Sequence, residues 1–310
     1  VNTGNYQIKR CDPEAYGTPG DQTSCDSYGC VLKSTSGVKV KVPWARINQA
    51  LLFQLKSLNI KPRIGVMFFS GSGVRNKASV YIGDFTSSNN YDALNPYKYT
   101  ITHVNVEDPS GSTPTAPALW DVYNYFSQNN PQYGGLDPQS GSGDQWKNPM
   151  YQCFDENGDG QCQGNELKLV PCAKNFVILL TDGQWNTPSC SINYGFESSS
   201  ADPVVPAYWL HKKGFTNQKT NIFSRLEALY GIGLFLGGTG ETSLKNVSMY
   251  GSFDTNGRNW PDSLTGYPQN TCYMDDCGSG KGSGCTPLPS SSPDWDKDGN
   301  GQPDTFYSAS

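Results

Sequence analysis

The chain has 310 residues, of which 35% are hydrophobic and only 16% are charged, and its formal net charge is −5. Neutralising nucleic-acid phosphates requires a clustered basic face, and because this sequence has none, its composition excludes a nucleic-acid-binding protein. No apolar run is long enough to span a bilayer and there is no signal peptide. We therefore expect a mature or excised portion of an exported protein, with no membrane span.

The predicted elements alternate between helices and strands. After Pro43, apolar residues at helical spacing predict an amphipathic helix over 44–58, and residues 64–69 and 79–85 resemble two antiparallel strands. Further along, the pattern predicts a helix after 111–119, a strand at 175–181, a helix at 204–213, a strand at 226–236, a helix after 240–242 and a last strand at 305–309. This order predicts an α/β fold with a doubly wound, mostly parallel sheet covered by helices on both faces.

Composition divides the chain into three parts around one elaborated domain. Residues 1–42 are predicted to be an irregular segment that contains cysteines, and residues 43–251 to be the core. The core carries an insertion at 128–173, which begins with a stretch rich in Gly, Ser and Asn. Residues 252–310 are a cysteine-rich segment that ends in the last predicted strand.

A carboxylate follows the most apolar strand directly. The run from Phe176 to Leu180 leads through Thr181 into Asp182, and ligands of open α/β sheets bind beyond the carboxyl ends of the strands. Thr113 precedes a predicted helix, where its hydroxyl can cap the helix or bind a metal. Carboxylate and hydroxyl oxygens suit Mg²⁺ or Ca²⁺. The pair predicts a metal site if both side chains meet at one rim of the sheet; a buried strand that ends in a polar turn is the alternative.

Residues 155–166 match the twelve-residue EF-hand calcium loop at every diagnostic position. Oxygen-bearing side chains stand at positions 1, 3 and 5, glycine at position 6 allows the sharp turn, and glutamate at position 12 can close the site with both oxygens. No flanking helices are evident, so we predict an isolated calcium loop rather than a paired sensor. Its candidate ligands are Asp155, Asn157, Asp159, Gln161 and Glu166.

A second acidic loop lies near the end of the sequence and offers two overlapping registers. A loop that starts at Asp296 has oxygen-bearing residues at positions 1, 3, 5 and 9 and Gly301 at position 6, but Tyr307 stands where the closing glutamate belongs. A solvated acidic turn without metal is the alternative. The candidate ligands are Asp296, Asp298, Asn300, Gln302 and Asp304, with Asp294 as a further candidate.

Ten cysteines gather in the irregular stretches, which favours disulfides and an oxidising, extracellular compartment. A zinc site is the competing interpretation, but there is no Cys-x-x-Cys pair. Cys25 with Cys30, and Cys153 with Cys162, are plausible local pairs, as are pairs within the last three cysteines. The candidates are Cys11, Cys25, Cys30, Cys153, Cys162, Cys172, Cys190, Cys272, Cys277 and Cys285.

The sequence does not indicate an enzyme. It has no His-Glu-x-x-His and no Gly-x-Ser-x-Gly motif, and its two histidines, His103 and His211, stand alone. We expect both histidines to be packing or surface residues. A secreted hydrolase therefore remains only as a weaker alternative.

The Thr113 and Asp182 segments resemble the metal-ion-dependent adhesion site of von Willebrand factor A (VWA) domains. That family joins them to an Asp-x-Ser-x-Ser motif on a central strand, where this sequence has only Leu32, Ser34 and Ser36 in the corresponding string. Ser34 and Ser36 are therefore candidate further ligands. Either the site is degenerate or, as we favour, this sequence begins after the first strand and lacks the central strand and the closing helix. We expect the strand's slot to be filled by an upstream segment, by residues 29–42 or by a neighbouring chain.

The strings at 207–211, 230–235, 237–247 and 298–307 are similar to the N-terminal VWA region of PilC/PilY type IV pilus tip proteins. The resemblance implies an extracellular adhesion module of a bacterial pilus, with pilus subunits and a protein or glycan ligand on a cell or material surface as partners. It implies a Mg²⁺ or Ca²⁺ at the adhesion site, beside structural calcium. A structural subunit of an extracellular filament, completed by strand exchange, is the alternative function.

Overall fold

The computed structural model describes residues 62–71, 73–75, 79–94, 96–106, 112–162, 164–181, 185, 203–234, 236, 238–255 and 293–309, and the backbone of four strands between residues 7 and 38. In chain order the elements are β1 (Gln7–Lys9), β2 (Ser24–Asp26), β3 (Gly29–Ser34), β4 (Gly37–Val38), β5 (Phe69–Ser70), β6 (Gly73–Val74), α1 (Lys98–Val106), α2 (Thr115–Ser127), β7 (Tyr151–Cys153), β8 (Leu167–Leu169), β9 (Asn175–Thr181), α3 (Val204–Tyr208), β10 (Phe215–Thr216), β11 (Phe223–Ser224), β12 (Leu226–Leu234), α4 (Gly238–Tyr250) and β13 (Phe306–Ala309). The predicted helix over 44–58 lies outside the described residues.

The chain divides into two compact units that are not continuous in sequence. The first unit comprises Val1–Val66, Val80–Pro109 and Cys153–Glu166, and the second comprises Met67–Ser79, Ser110–Gln152 and Leu167–Ser310. The first acidic loop therefore belongs to the first unit, and the second acidic loop belongs to the second.

The first unit contains a small antiparallel sheet. β3 pairs with β1, β2 and β4, so the segment 1–42, predicted to be irregular, contains four short strands. The register sets Cys25 opposite Cys30. Residues 29–42 were one candidate for the empty slot of the parallel sheet; among the described strands, β3 pairs only within its own antiparallel sheet.

The predicted hairpin between 64–69 and 79–85 is wrong in its extent. The two segments meet antiparallel at a single bridge, where Val66 and Val80 exchange backbone hydrogen bonds of 2.8 Å. The second segment then turns at Asp84, whose φ of 69° is left-handed. At this turn the N–H groups of Gly83 and Asp84 both donate to the Ile64 carbonyl, at 3.0 and 3.3 Å, so the two segments do not pair residue by residue.

Asp84 caps α1 from outside the helix. Its two carboxylate oxygens accept the backbone N–H groups of Tyr99 at 3.0 Å and Thr100 at 2.6 Å, which are the second and third residues of the helix. These N–H groups have no partner within a helix, so a buried carboxylate satisfies them. Burial raises the pKa of Asp84, although these hydrogen bonds oppose the shift.

The second unit is built on three parallel strands in the order β13-β12-β9. Leu180, Ile232 and Tyr307 lie side by side across the sheet. The predicted strand at 175–181 has the predicted bounds, and the strands at 226–236 and 305–309 are shorter than predicted. Residues 204–213 are helical as predicted, since a π-helical turn, Trp209–Lys213, continues α3. The helix predicted after 240–242 begins slightly earlier, at Gly238. The larger doubly wound sheet stays a prediction.

Helix α4 packs closely on one face of this sheet. A Cβ on Gly231 of β12 would collide with Ser248 Oγ and Leu244 of the helix, so the close approach requires glycine there. The opposite face is open over part of its area: Phe176 and Ile178 of β9 are 50% and 53% exposed, and Tyr307 of β13 is 54% exposed. Parallel sheets ordinarily bury both faces, so this apolar surface is unusual.

Asp121 organises the turn that follows α2. Its buried carboxylate accepts three backbone N–H groups, from Gln132 at 2.8 Å, Tyr133 at 3.0 Å and Gly135 at 2.7 Å. Burial raises the pKa of Asp121, and the same hydrogen bonds oppose the shift. The helix and the turn are thereby joined by one side chain.

No helix in the described part of the chain has the length and apolar character that crossing a bilayer requires.

Candidate metal centres

The first acidic loop, residues 155–166, connects β7 to β8. Asp155 at position 1 accepts the backbone N–H groups of Asp159 at 3.1 Å and Gly160 at 2.9 Å. Asn157 at position 3 accepts the Asp159 N–H at 2.8 Å, and Asp159 in turn accepts the Gln161 N–H at 2.7 Å. The side-chain oxygens at positions 1, 3 and 5 therefore face the inside of one tight turn.

The second acidic loop has the same hydrogen bonds. Asp296 accepts the backbone N–H groups of Asn300 at 3.0 Å and Gly301 at 2.8 Å. Asp298 accepts the Asn300 N–H at 3.1 Å, and Asn300 accepts the Gln302 N–H at 2.8 Å. Of the two registers in the sequence, the structure adopts the one that begins at Asp296.

The backbone explains why the two loops coincide. The glycines at position 4, Gly158 and Gly299, have φ angles of 73° and 72°, and those at position 6, Gly160 and Gly301, have φ angles of 78° and 80°. Left-handed backbone at both positions costs glycine little conformational free energy, and it strains other residues. Two segments far apart in sequence thus reach one conformation because they share glycines at the same places.

Three carboxylates converge in the second loop. One carboxylate oxygen from each of three residues lies within 4.8 Å of the other two: Asp296, Asp298 and Asp304. Among the described residues, this is the one group of acidic side chains that meets so closely. Asp304, at position 9, also accepts the Lys297 N–H at 3.2 Å and so closes the loop from the far side. The third carboxylate of the group thus stands at position 9, while position 12 is Tyr307.

The closing residue of the first loop is held differently. Glu166 is only 2% exposed, and its backbone carbonyl accepts the N–H of Phe154 at 2.8 Å. The carboxylates of Glu166, Asp155 and Asp159 do not come as close together as the three carboxylates of the second loop. The pKa of Tyr91 is raised by burial and by carboxylates that include Asp155 and Glu166, so both ends of the loop act on the same phenol.

Clustered carboxylates of this kind can hold a hard cation. Carboxylate, amide and backbone oxygens around a turn with glycine at position 6 form the ligand set of Ca²⁺, whose coordination tolerates six to eight oxygens. Like charges within 4.8 Å also repel each other, and a bound cation cancels that repulsion. The donor set of the second loop therefore fits calcium, and the first loop offers the same kinds of oxygen without a convergence of three carboxylates.

The predicted adhesion site is described only in part. Helix α2 begins at Thr115 with Pro114 as its N-cap residue, so Thr113 lies one residue before the cap position rather than in it. Strand β9 ends at Thr181, which is 5% exposed, and Asp182 lies outside the described residues. Ser34 lies in β3, and Ser36 is also outside the described residues.

The structure describes the side chains of three of the candidate cysteines. Cys153 and Cys162 form a disulfide, as the sequence predicts. Cys172 was predicted to be bonded, but it is free and exposed, in the turn after β8. The side chains of the remaining candidates lie outside the described part: Cys11, Cys25, Cys30, Cys190, Cys272, Cys277 and Cys285.

His211 is a buried packing residue. It is 5% exposed, and its two ring nitrogens lie 2.9 Å from the carbonyl oxygen of Leu226 and 2.6 Å from that of Phe253. Burial lowers the pKa of His211, against the effect of the two carbonyls. The ring connects the start of β12 with the segment after α4.

Sequence reasoning missed the two buried carboxylates that hold backbone turns, Asp84 and Asp121. Neither lies in a recognisable motif. The position of Asp121 among apolar residues of α2, shortly before a turn rich in Asn, Pro and Gly, was the available signal. Asp84 offered none, since its partners belong to a helix that begins fourteen residues later at Lys98.

No protein-family profile, no curated protein and no solved structure matches this chain.

Proposed function

We propose that this protein is an extracellular binding module that is stabilised by calcium at two loops. The observation that carries the proposal is the shared conformation of residues 155–161 and 296–302, in which the same hydrogen bonds turn oxygen ligands inward. Clustered carboxylates destabilise a fold unless a cation compensates them, and extracellular fluid supplies calcium abundantly.

With calcium bound, the second loop would hold the last strand in place on the sheet. Trp295, which precedes position 1, is 4% exposed, and Phe306, which follows the loop, is 6% exposed and begins β13. Between them, the Thr305 hydroxyl lies 2.6 Å from the Ser252 hydroxyl, beyond the end of α4. An ion bound by Asp296, Asp298 and Asp304 would therefore fix how the last strand joins the sheet.

We further propose that the module is an adhesin of the VWA kind found at type IV pilus tips. Thr113 and Asp182 would hold a Mg²⁺ or Ca²⁺ that binds an acidic group of a protein or glycan ligand. Supporting this, β9 is parallel to β12 and ends immediately before Asp182, where ligands of such sheets bind. Pilus subunits would be the other partners.

Calcium binding is tested by titrating the whole chain with Ca²⁺ in a calorimeter after removal of metal. We expect two binding sites with dissociation constants typical of calcium-binding loops. Asp155→Asn should remove one of them and Asp296→Asn the other. Asp137→Asn, at an exposed aspartate outside both loops, is the matched control. Two unchanged binding sites in the two loop variants would contradict the assignment.

Adhesion is tested by binding of the labelled chain to cell or material surfaces with and without a chelator. Asp182→Ala should abolish the cation-dependent part of the binding while both calcium loops still titrate. Adhesion that persists unchanged in excess chelator would refute the metal bridge.

A structural filament subunit is a second candidate, and the open apolar face of the parallel sheet favours it. Phe176 and Ile178 lie on β9, which among the described strands pairs only with β12. An exposed edge with apolar side chains is a template for strand addition. Sedimentation decides between the two: a monomer at all concentrations favours the tip module, and fibres that disappear in the Ile178→Lys variant favour the filament.

A further inference from the structure

The first calcium loop contains a covalent bond that the second lacks. The disulfide joins Cys153, the last residue of β7, to Cys162 at position 8 of the loop, nine residues later in sequence. The closed ring contains the side chains at positions 1, 3 and 5, which are Asp155, Asn157 and Asp159. Residues 296–307 of the second loop contain no cysteine.

The two loops also differ in their apolar anchors. Before position 1, the second loop has Trp295 at 4% exposure, and Asp296 itself is 3% exposed. At the same places the first loop has Phe154 at 40% exposure and a half-buried Asp155. Packing therefore buries the beginning of the second loop more completely than the beginning of the first.

The backbone hydrogen bonds to the side chains at positions 1, 3 and 5 do not account for this difference, because they are the same in both loops. The position 1 carboxylate accepts the same two backbone N–H groups, and the position 3 and position 5 oxygens accept one each. At the ends of the first loop, the Phe154 N–H donates to the Glu166 carbonyl at 2.8 Å, and in the middle of the loop the Gly160 carbonyl accepts the Ala93 N–H at 3.1 Å. The disulfide adds a covalent closure around the side chains at positions 1, 3 and 5.

We propose that the Cys153–Cys162 disulfide is the positioning element of the first calcium loop, so that this loop binds calcium tightly only when oxidised, whereas the second loop is insensitive to thiols. The inference rests on the proposed calcium function of the loop. The disulfide substitutes for the buried tryptophan of the second loop and holds positions 1 to 7 near their binding geometry before the ion arrives.

The expected size of the effect follows from chain entropy. Closing a ring of about ten residues restricts the free chain by an amount that corresponds to roughly a hundredfold in an equilibrium constant. The hydrogen bonds within the loop already provide part of that restriction. We therefore expect calcium affinity to fall roughly 10- to 100-fold when the bond is absent.

Reduction by a dithiol is the corresponding chemical step. The two electrons from the dithiol break the S–S bond, both cysteines become thiols, and the dithiol closes to its own cyclic disulfide. Because linkage is reciprocal, calcium bound to the first loop should make this disulfide harder to reduce by the same factor.

The experiment uses the full chain in an Asp296→Asn background, in which calorimetry reports the first loop alone. The double variant Cys153→Ser/Cys162→Ser is compared with Cys172→Ser, which removes an exposed free thiol. We expect the double variant to bind calcium at least tenfold more weakly and the Cys172 variant to be unchanged. A double variant within twofold of the parent would overturn the inference.

A second measurement tests whether the double variant is folded. The double variant is also made with Asp296 intact, where an unchanged affinity of the second loop shows that the chain is folded. The parent chain, reduced with dithiothreitol and checked by thiol alkylation at Cys153, should show the same loss at the first loop. If Asp155→Asn removes no calcium binding from the oxidised parent, the calcium function of the first loop is wrong. If calcium binding at the first loop is unchanged after reduction, only the disulfide inference is wrong.

Discussion

Asp155 and Asp296 each accept hydrogen bonds from the backbone N–H groups four and five residues further along the chain, at 3.1 and 2.9 Å in the first case and 3.0 and 2.8 Å in the second. The two carboxylates thus perform the same task in separate units of the protein. Because they accept the same backbone N–H groups in different surroundings, substitutions at the two aspartates can be compared directly.

Calcium should stabilise the chain through both loops. At a free calcium concentration of one hundred times the dissociation constant, each site contributes about 2.7 kcal/mol to the free energy of unfolding. Asp296→Asn should remove the contribution of the second loop alone. Urea unfolding in calcium and in chelator measures the difference, with Asp137→Asn as the control. Equal stability of the parent chain in the two conditions would contradict the prediction.

Gly301→Ala should weaken the second loop through the backbone. The φ of Gly301 is 80°, where a Cβ costs about 1 to 2 kcal/mol, and no atom lies within 4 Å that would add a collision. The variant should therefore lose stability by about that amount and bind calcium more weakly. Gly143→Ala is the matched control, because Gly143 also has open space but does not have left-handed backbone. Equal melting temperatures of the two variants would refute the argument.

Asp121→Ala should be among the most destabilising changes at a charged residue. It leaves the N–H groups of Gln132, Tyr133 and Gly135 without their acceptor. The bond to Gly135 is fully buried, and an unsatisfied buried group costs about 1 to 3 kcal/mol, whereas water can reach the partly buried bonds of the other two. We expect a loss of about 2 kcal/mol, measured by chemical unfolding. Asp137→Ala, at an exposed carboxylate, should change stability by less than about 0.5 kcal/mol.

His211 should make the protein less stable in mild acid. Burial lowers its pKa in the folded chain below the unfolded value of 6.5, against the carbonyls of Phe253 and Leu226; Arg225 lowers it further and Glu227 raises it. Its contribution is therefore complete above pH 6.5 and is lost as the pH falls through the lower, folded pKa, since the unfolded chain then binds the proton more readily.

The measurement is the free energy of unfolding in saturating calcium at pH values from 8 down to about 5. The parent chain should lose stability over this range, and His211→Gln should lose less. The neutral imidazole donates one hydrogen bond and the imidazolium two, so a parent chain that becomes more stable in acid would show instead that the two carbonyls dominate over burial.

Sequence patterns predicted the elements whose signals are local. The apolar run of β9, the helical spacing after Thr115 and the glycine positions of both acidic loops each act within a dozen residues, and each appears in the structure. The carboxylates of Asp84 and Asp121 were missed, because their partners are backbone groups of other segments. The free Cys172 was misjudged for the same reason, since an even number of cysteines does not show which of them meet.

The second loop leads straight into β13, and the Thr305 carbonyl accepts the Gly231 N–H at 2.9 Å before the strand continues parallel to β12. A pull on the backbone beyond Ala309 would load that strand in shear, so that all its ladder bonds resist together rather than opening one by one. A cation held at Asp296, Asp298 and Asp304 would then anchor the loaded strand at its upstream end, and the force needed to detach it would depend on the calcium content of the surrounding fluid.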